Sequence, residues 1–365
     1  MTKTLHIVGA GLAGLSCAVQ AKKMGMVPII YEASPKAGGR IKGFEFDGQS
    51  YDTGTHLIVG AYKYTFDYLR EIGAKNQLLP YDPASYDFYE PQIEQHWSLS
   101  AHKFIRSVLS GEILGQNAQR RLWDPLSLAV FNTPFKNVPK RSHALLFKEI
   151  LLGGNDAMRP YFTKSTLSDA FVKPLQGIDI RFGQRLQEIK CDELVFKNNT
   201  VKLSAQNQCV LALPLHAYKH LRSPFLFAPI TCNPILNVHF FLKEEIDNLF
   251  LGLIGTETQW LYAKGKHVCA TISAATHTGE EPVTKVWQEI APIIKQDSGT
   301  QPPYRVICEK YATPHQDLTF HKMRPKTQSK IKNVFFAGDW VDTGLPATIE
   351  SAIKSGFLAA KWASS

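Results

Sequence analysis

Short apolar runs and a segment with helical spacing near the N-terminus predict a strand–helix–strand unit. Residues 5–8 form a mostly apolar run that is typical of a buried strand. Residues 12–24 carry apolar side chains at helical spacing, and Gly25 stands where that helix would stop. Residues 27–31 form a second apolar run, which Glu32 follows. Two parallel strands joined by a helix are therefore expected.

Other patterns predict a hairpin, a C-terminal strand and a C-terminal helix. Residues 41–51 contain two strand-like runs around Asp47-Gly48, and an Asp-Gly pair in that place is a strong hairpin signal. Residues 334–339 form an apolar run typical of a buried strand, and a helix is expected over about 346–361. Further strand runs are expected within residues 178–213, 235–242 and 268–273.

These elements predict an α/β protein with two domains. The pieces typical of dinucleotide-binding folds lie at the start, near the centre and at the end of the chain. The stretch between the first two is rich in aromatic residues, apolar helical stretches and proline. We expect a discontinuous Rossmann-like domain, built from residues 1–80, 177–217 and 325–365. The inserted α+β substrate domain is expected to comprise residues 81–176 and 218–324.

Composition and charge restrict the class of protein. Hydrophobic residues make up 44% of the chain, which suffices for a sizeable core, and no apolar run is long enough to span a membrane. The net charge of +9 favours an anionic cofactor or lipid surface. Nucleic acid is disfavoured because no basic block is present. The six scattered cysteines suit a reducing cytosol, and no signal-peptide core precedes the first strand, so a cytoplasmic protein is expected.

A glycine-rich turn follows the first predicted strand. Gly9, Gly11 and Gly14 have the G-x-G-x-x-G spacing of dinucleotide-binding turns. Gly9 allows the tight turn, Gly11 allows close approach of a pyrophosphate, and Gly14 allows the helix to pack on the sheet. Leu12 and Ala13 then begin the helix, whose free N–H groups and positive dipole end favour phosphate.

Three further residues are suited to binding the same dinucleotide. Glu32 ends the second strand, where a carboxylate binds ribose hydroxyls and would repel a 2′-phosphate, so NADP is disfavoured. Gly39, with Gly38 before it, lets the backbone pass close to a diphosphate. Arg40 follows directly and could neutralise that diphosphate.

Two other segments are suited to the rest of a flavin nucleotide. Gly338 and Asp339 end the last predicted strand, and Asp339 could accept a hydrogen bond from a ribityl hydroxyl. The start of the C-terminal helix would leave free the amides of a short run comprising Ala347, Thr348 and Ile349. Such amides could bind the carbonyl edge of a flavin. Gly54, Thr55 and His56 follow the hairpin and are suited to lie beside a flat ring.

Together these segments resemble the FAD-dependent amine oxidase and phytoene desaturase superfamily. Residues 1–75 and 334–360 are similar in particular to the hydroxysqualene dehydroxylases of bacterial hopanoid pathways, with a looser match over 178–214. No His or Cys stands in a recognisable flavin attachment motif, so one non-covalent FAD per chain is expected. The resemblance implies that the residues above hold the FAD, with backbone contacts from Leu186 to the adenine. It also implies the reductive removal of the hydroxyl of hydroxysqualene, giving squalene. Carotenoid desaturation, amine oxidation, porphyrinogen oxidation and a flavin-bound scaffold without enzymatic activity are the alternatives.

The same resemblance bears on the proton donor and the partners. His56 would lie near the flavin ring and is the candidate acid, with Asp52 and Tyr51 as alternatives and a purely structural histidine as the competing interpretation. A lipophilic isoprenoid substrate is implied, but the sequence does not indicate the electron donor. Residues 102–135 combine apolar and basic side chains. They are expected either to cover the substrate cavity or to dock on the cytoplasmic face of an anionic membrane.

Two other kinds of site find little support in the sequence. His216 and His220 are four residues apart, but no glutamate follows the first and no third ligand is evident, so we expect a solvated helix face and no metal site. The G-x-S-x-G turn of serine hydrolases is absent.

Overall fold

A computed structural model describes residues 2–111 and 115–365, so residues 112–114 of the apolar and basic stretch lie outside the described part. Its strands, numbered in chain order, are β1 (Thr4–Val8), β2 (Val27–Tyr31), β3 (Gly43–Phe46), β4 (Gln49–Asp52), β5 (Ile58–Val59), β6 (Leu78–Pro80), β7 (Tyr86–Glu90), β8 (Gln95–Leu99), β9 (Pro160–Thr163), β10 (Asp179–Arg181), β11 (Leu186–Ile189), β12 (Glu193–Phe196), β13 (Thr200–Lys202), β14 (Asn207–Leu211), β15 (Cys232–Leu253), β16 (Trp260–Ser273), β17 (Tyr304–Pro314) and β18 (Val334–Phe336).

The α-helices are α1 (Leu12–Lys23), α2 (Lys63–Glu71), α3 (Ala101–Ser110), α4 (Gln116–Ala118), α5 (Asp124–Phe131), α6 (Lys140–Met158), α7 (Leu167–Phe171), α8 (Val283–Ile290), α9 (Leu318–Met323) and α10 (Ile349–Ser364). A π-helical turn, Gln119–Trp123, joins α4 to α5. Short 3₁₀ helices are Gly39–Ile41, Lys75–Gln77, Pro91–Ile93, Phe135–Asn137 and Leu215–His220. No helix among residues 2–111 and 115–365 is long and apolar enough to cross a membrane.

A five-stranded parallel sheet forms the first of two large layers. Its order is β10-β2-β1-β14-β18, and the central strands are apolar runs with both faces covered, as parallel sheets require. α1 and α10 pack closely together in the core on one face. The three-stranded sheet β11-β12-β13 contributes to the core on the other face. The predicted α/β fold class with a Rossmann-like sheet is confirmed.

A second sheet of mainly antiparallel strands forms the other large layer. β15 lies between β16 and β17 along one part of its length and pairs with β7 further on. One face buries an apolar core with α8, in which Trp287 packs against Phe240. Helices α3, α5 and α6 contribute to an aromatic-rich cluster that includes Phe250 and Trp260 of this sheet. The domain boundaries given above remain a prediction.

Several predicted elements differ from the observed ones in extent. The hairpin forms as β3 and β4, with Asp47 and Gly48 both at positive φ. The strand expected over residues 235–242 extends over all of β15, because β17 pairs with it from Cys232 and β16 continues the pairing as far as Gly252. His216 and His220 lie in one short 3₁₀ helix, and His220 is exposed as expected. His216 differs from the expected solvated position: it is half-buried and its ring stacks on Tyr311, with the ring centroids 4.2 Å apart.

Candidate cofactor and active site

The glycine-rich turn brings the start of α1 to the carboxyl edge of the parallel sheet. Gly9 has φ of 107°, which side chains disfavour, and a Cβ on Gly14 would lie 1.9 Å from the Gly9 carbonyl oxygen. Leu12 and Ala13 are buried in the first turn of α1. Gly11 differs: apart from its chain neighbours, no described heavy atom lies within 4 Å of the place a Cβ would take. The turn is therefore closed beneath the helix and open in front of it.

The start of α1 is suited to an anion. No described side chain caps this helix, and its first turn carries no acidic residue. The N–H groups and the positive end of the helix dipole are therefore left for a ligand. The second glycine pair lies alongside, because the Gly38 N–H donates to the Ala10 carbonyl oxygen at 2.8 Å. Gly39 begins a short 3₁₀ helix there.

The carboxylate of Glu32 is fixed at the end of β2. Its Oε2 accepts a hydrogen bond from the Ala10 N–H at 2.7 Å, and its Oε1 accepts one from the Ser34 N–H at 2.7 Å. The side chain is half-buried, so its oxygens keep capacity for two neighbouring hydroxyl groups. Gln184 lies close by, since its N–H donates to the Glu32 carbonyl oxygen at 2.8 Å. Leu186 lies two residues later and is half-buried at the start of β11.

Arg40 and Asp339 form an ion pair although they are far apart in the sequence. Arg40 Nη2 lies 2.8 Å from Asp339 Oδ1, and Nη1 donates to the Ala312 carbonyl oxygen at 2.6 Å. Asp339 is buried, and its charge raises the pKa of Arg40. Gly338, just before it, donates its N–H to the Ser355 side chain in α10. The predicted Gly39-Arg40 and Gly338-Asp339 motifs therefore meet through this ion pair.

The C-terminal helix begins later than predicted. Thr348 is its N-cap residue in an extended conformation, and Ile349 is the first helical residue, so the expected start near Pro346 is wrong. The Ala347 amide is not free, because it donates to Gln316 Oε1 at 2.8 Å. No described side chain caps the helix at Thr348, which leaves the start of α10 for a ligand.

The segment that carries His56 lies against the second sheet, where Gly54 approaches Asn237 of β15. The His56 Nδ1 lies 2.9 Å from the Gly54 carbonyl oxygen, and this oxygen can only accept, so Nδ1 carries the proton. Burial is the main cause that lowers the pKa of His56, and the charge of Arg40 lowers it further. Asp52 differs: burial raises its pKa to about 7, although its Oδ1 accepts from the Leu167 N–H. Thr55 lies between them in the chain.

Some residues of this region carry no sequence motif. Gln316 is fully buried and fixes Ala347. Arg324 is buried and donates to the carbonyl oxygens of Asp339, Val341 and Leu345, which shapes the loop before α10. The only feature of the sequence that could have identified such residues is a polar side chain at a position within an otherwise apolar pattern.

The donors and acceptors fit an FAD. An uncapped helix start in front of an open glycine suits a diphosphate, and the fixed carboxylate of Glu32 suits a ribose. The Arg40–Asp339 pair supplies polar groups suited to the diphosphate and the ribityl chain, and the start of α10 at Thr348 is a second uncapped helix start. The ligand assignments of the individual residues remain predictions.

Comparisons with known proteins give a consistent result. A sequence profile of the family described as "Flavin containing amine oxidoreductase" matches residues 12–108 and 106–362. Hydroxysqualene dehydroxylase of Sinorhizobium fredii is 30% identical over 99% of this chain and 98% of its own length. Hydroxysqualene dehydroxylase of Zymomonas mobilis is 31% identical over 97% of each chain. The first alignment spans 414 positions against 365 residues here, so that relative has segments without a counterpart in this chain.

Other similarities are local or structural. The 15-cis-phytoene desaturase of Synechococcus elongatus is 40% identical, but over 20% of this chain and 15% of its own length. Cyclohexylamine oxidase from Brevibacterium oxydans has a TM-score of 0.73 over 100% of this chain and 99% of its own, with 14% identity. Putrescine oxidase has a TM-score of 0.70 with 13% identity, over 99% of this chain and 98% of its own. These structures share the fold.

Proposed function

Since the chain belongs to the flavin-containing amine oxidoreductase family, in the group of the hydroxysqualene dehydroxylases, we propose that it converts hydroxysqualene to squalene by reductive dehydroxylation. FAD is the cofactor. The observation that supports this substrate is similarity along nearly the whole length to hydroxysqualene dehydroxylases. Similarity to the carotenoid desaturases covers only about a fifth of the chain.

Each part of the site has a role in this reaction. FAD in its reduced form supplies the two electrons that the substrate gains when its hydroxyl leaves as water. The start of α1 and Arg40 hold the diphosphate, Glu32 holds a ribose, and the amides at Thr348 and Ile349 bind the ring edge. His56 gives a proton to the departing oxygen, and the aromatic cluster against which the neighbouring Leu57 packs excludes water.

The reaction is tested by an anaerobic product analysis. The purified chain, with its flavin reduced beforehand, is mixed with hydroxysqualene, and the products are separated. We expect squalene in an amount equal to the reduced flavin, together with return of the oxidised flavin absorbance. Reduction of the flavin by an amine, with recovery in oxygen, would instead support an amine oxidase. A flavin that reacts with none of these compounds would support the scaffold.

Replacing Glu32 with Ala is expected to weaken FAD binding by about 1–3 kcal/mol. The Ala10 and Ser34 N–H groups and the ribose would lose a charged acceptor. Titration of the FAD-free chain with FAD measures the affinity. Acid precipitation of the wild-type protein tests the attachment of the FAD, and a non-covalent FAD should leave its yellow colour in the supernatant. Glu289→Ala is the matched control, since Glu289 is also a half-buried carboxylate that accepts a backbone N–H, from Glu257. Equal affinities of the two variants would remove Glu32 from the ribose site.

We further propose that α3 and α6 dock on an anionic membrane surface. These helices pack together and expose Leu109 and Leu152, whose exposed fractions are 83% and 75%. Lys103 and Arg106 are exposed on α3, which gives the charge that anionic headgroups attract. A substrate that is nearly insoluble in water would thereby be taken up without crossing the solution.

Liposome flotation tests this surface. We expect wild-type protein to bind anionic vesicles at low salt and to dissociate as the salt concentration rises. The double variant Leu109→Ser/Leu152→Ser should bind about tenfold more weakly or worse, because each leucine loses its apolar burial. Leu226→Ser is the control: Leu226 is 95% exposed but lies outside α3 and α6. Binding that is unaffected by the double variant, or lost equally in the control, would contradict the proposed surface.

A further inference from the structure

One face of the second sheet carries a line of buried polar side chains. Across β15 and β16, Asn237 pairs with Thr271, His239 pairs with Cys269, and Phe241 pairs with His267. The alternate residues of both strands face the apolar core with α8. We call the polar set the polar row; it comprises Asn237, His239, His267, Cys269 and Thr271.

The polar row is buried except for His267, which is half-buried, and its members pair with one another. His239 and Cys269 are each 1% exposed, and Asn237 is 5% exposed. The Thr271 hydroxyl donates to Asn237 Oδ1 at 2.8 Å, and the facing nitrogens of His239 and His267 are 3.0 Å apart. Because burying polar groups is unfavourable unless they are paired, such a row in a sheet interior calls for a specific role.

The polar row faces the segment that ends at His56. His239 Nε2 lies 3.3 Å from the Thr53 carbonyl oxygen. A Cβ on Gly54 would lie 2.5 Å from Asn237 Nδ2, so the segment is in direct contact with this amide. The Cys269 thiol interacts with the side chain of Thr55. Each of the three residues before His56 therefore lies against one member of the row.

The proton positions follow from these contacts. The Thr53 carbonyl oxygen can only accept, so His239 Nε2 must carry a proton and donate it. If His239 is neutral, its Nδ1 accepts from His267 Nε2; if it is charged, its Nδ1 donates to His267. Burial lowers the pKa of His267 to about 3, so His267 stays neutral in both cases. The hydrogen bond from His239 to the Thr53 carbonyl oxygen is also the same in both cases. The hold on the segment does not depend on the charge of His239.

We propose that Asn237 and His239 are positioning residues that hold the Thr53–Gly54–Thr55 backbone and thereby fix the place of His56. The link to the chemistry is direct, because the His56 ring is itself oriented by the Gly54 carbonyl oxygen. A shift of Gly54 moves this acceptor and the ring with it. The effect on catalysis rests on the proposed function, whereas the effect on His56 itself does not.

The first test compares two replacements of His239. His239→Leu removes the donor to Thr53, whereas His239→Gln can keep one. We expect His239→Leu to slow single-turnover flavin oxidation by up to about 100-fold, because the acid is displaced. The substrate concentration that gives the half-maximal rate should change little. His239→Gln should remain within a few fold of wild type. His143→Leu is the control, since His143 is a partly buried histidine on α6.

The second readout needs no substrate. In protein with labelled histidines, the resonance of His56 is identified by its absence in His56→Ala, and its titration is followed by NMR. We expect His239→Leu to raise the pKa of His56 towards its ordinary value, because the released segment lets water reach the ring, with Arg40 still nearby. An unchanged titration in His239→Leu would overturn the proposal even if squalene is formed. A changed titration in His239→Leu, with no squalene formed by the wild-type protein, would retain this proposal and reject the proposed reaction.

A pair of variants keeps the test decisive if His239→Leu does not fold. Gly54→Ala places a methyl group against the Asn237 amide and should displace the segment, giving the same slow rate and the same shift of the His56 titration. Gly54→Ala/Asn237→Ala removes the amide atoms that this methyl group would meet and should recover both, but only in part, because the support that Asn237 gives to the segment is lost as well. A double variant no better than Gly54→Ala would contradict the contact between Asn237 and the segment as the cause.

Discussion

Gly11→Ala and Gly14→Ala are expected to separate loss of FAD from loss of stability. At Gly14 a methyl group would lie 1.9 Å from the Gly9 carbonyl oxygen, so α1 must move away from the turn. We expect the FAD-free chain to lose about 1–3 kcal/mol or more of its free energy of unfolding. FAD affinity should fall as well, because the start of α1 is displaced.

Gly11→Ala is the matched variant, which is expected to weaken FAD binding without lowering the stability of the FAD-free chain. Apart from chain neighbours, no described atom lies within 4 Å of the new methyl group, and Gly11 is in an extended conformation that alanine adopts. The FAD-free chain should therefore unfold at an unchanged temperature. FAD affinity should fall at least about tenfold, since the methyl group occupies the approach of the diphosphate.

Thermal unfolding of the FAD-free chains and FAD titration measure both quantities. If Gly11→Ala binds FAD as tightly as wild type, the diphosphate does not approach this turn, and the assignment of the dinucleotide site is wrong. If Gly14→Ala leaves the unfolding temperature unchanged, the close packing of α1 on the turn is not required for stability.

Replacing His56 with Ala is expected to slow single-turnover oxidation of reduced flavin by hydroxysqualene by about 10²–10⁴-fold. This is the usual contribution of a positioned general acid. FAD should stay bound with wild-type affinity, because the glycine-rich turn and Glu32 are untouched. The oxidation is followed by flavin absorbance after anaerobic mixing. A rate within about twofold of wild type would exclude His56 from the role.

The pH dependence of the same rate distinguishes His56 from Asp52. An acid acts in its protonated form, so the rate falls as pH rises through the pKa of the group. Burial lowers the pKa of His56, and the fall should therefore occur below the ordinary histidine value. A fall centred near pH 7 would identify Asp52, whose pKa burial raises to about 7. Asp52→Asn should leave the profile of wild type intact if His56 is the acid.

The sequence was sufficient to predict the parallel sheet and its glycine-rich turn. Local spacing determines these features: apolar runs form buried strands, and Gly9 and Gly14 are required by the backbone itself, within six residues. The hairpin at Asp47-Gly48 was predictable for the same reason, because a two-residue turn depends on its own φ angles. The resemblance to a flavoprotein family rested on such local motifs and is confirmed by the comparisons.

The tertiary structure alone decided which distant groups meet. Arg40 and Asp339 pair across most of the chain, and Gln316 takes the Ala347 amide that the sequence left free. The polar row faces the His56 segment because β15 and β16 pair in one register, and a slip by one residue would turn those side chains into the core. Local patterns carry no information on such long-range contacts. The order of motifs therefore predicted the cofactor site, and the packing of the two sheets determined the surroundings of the candidate acid.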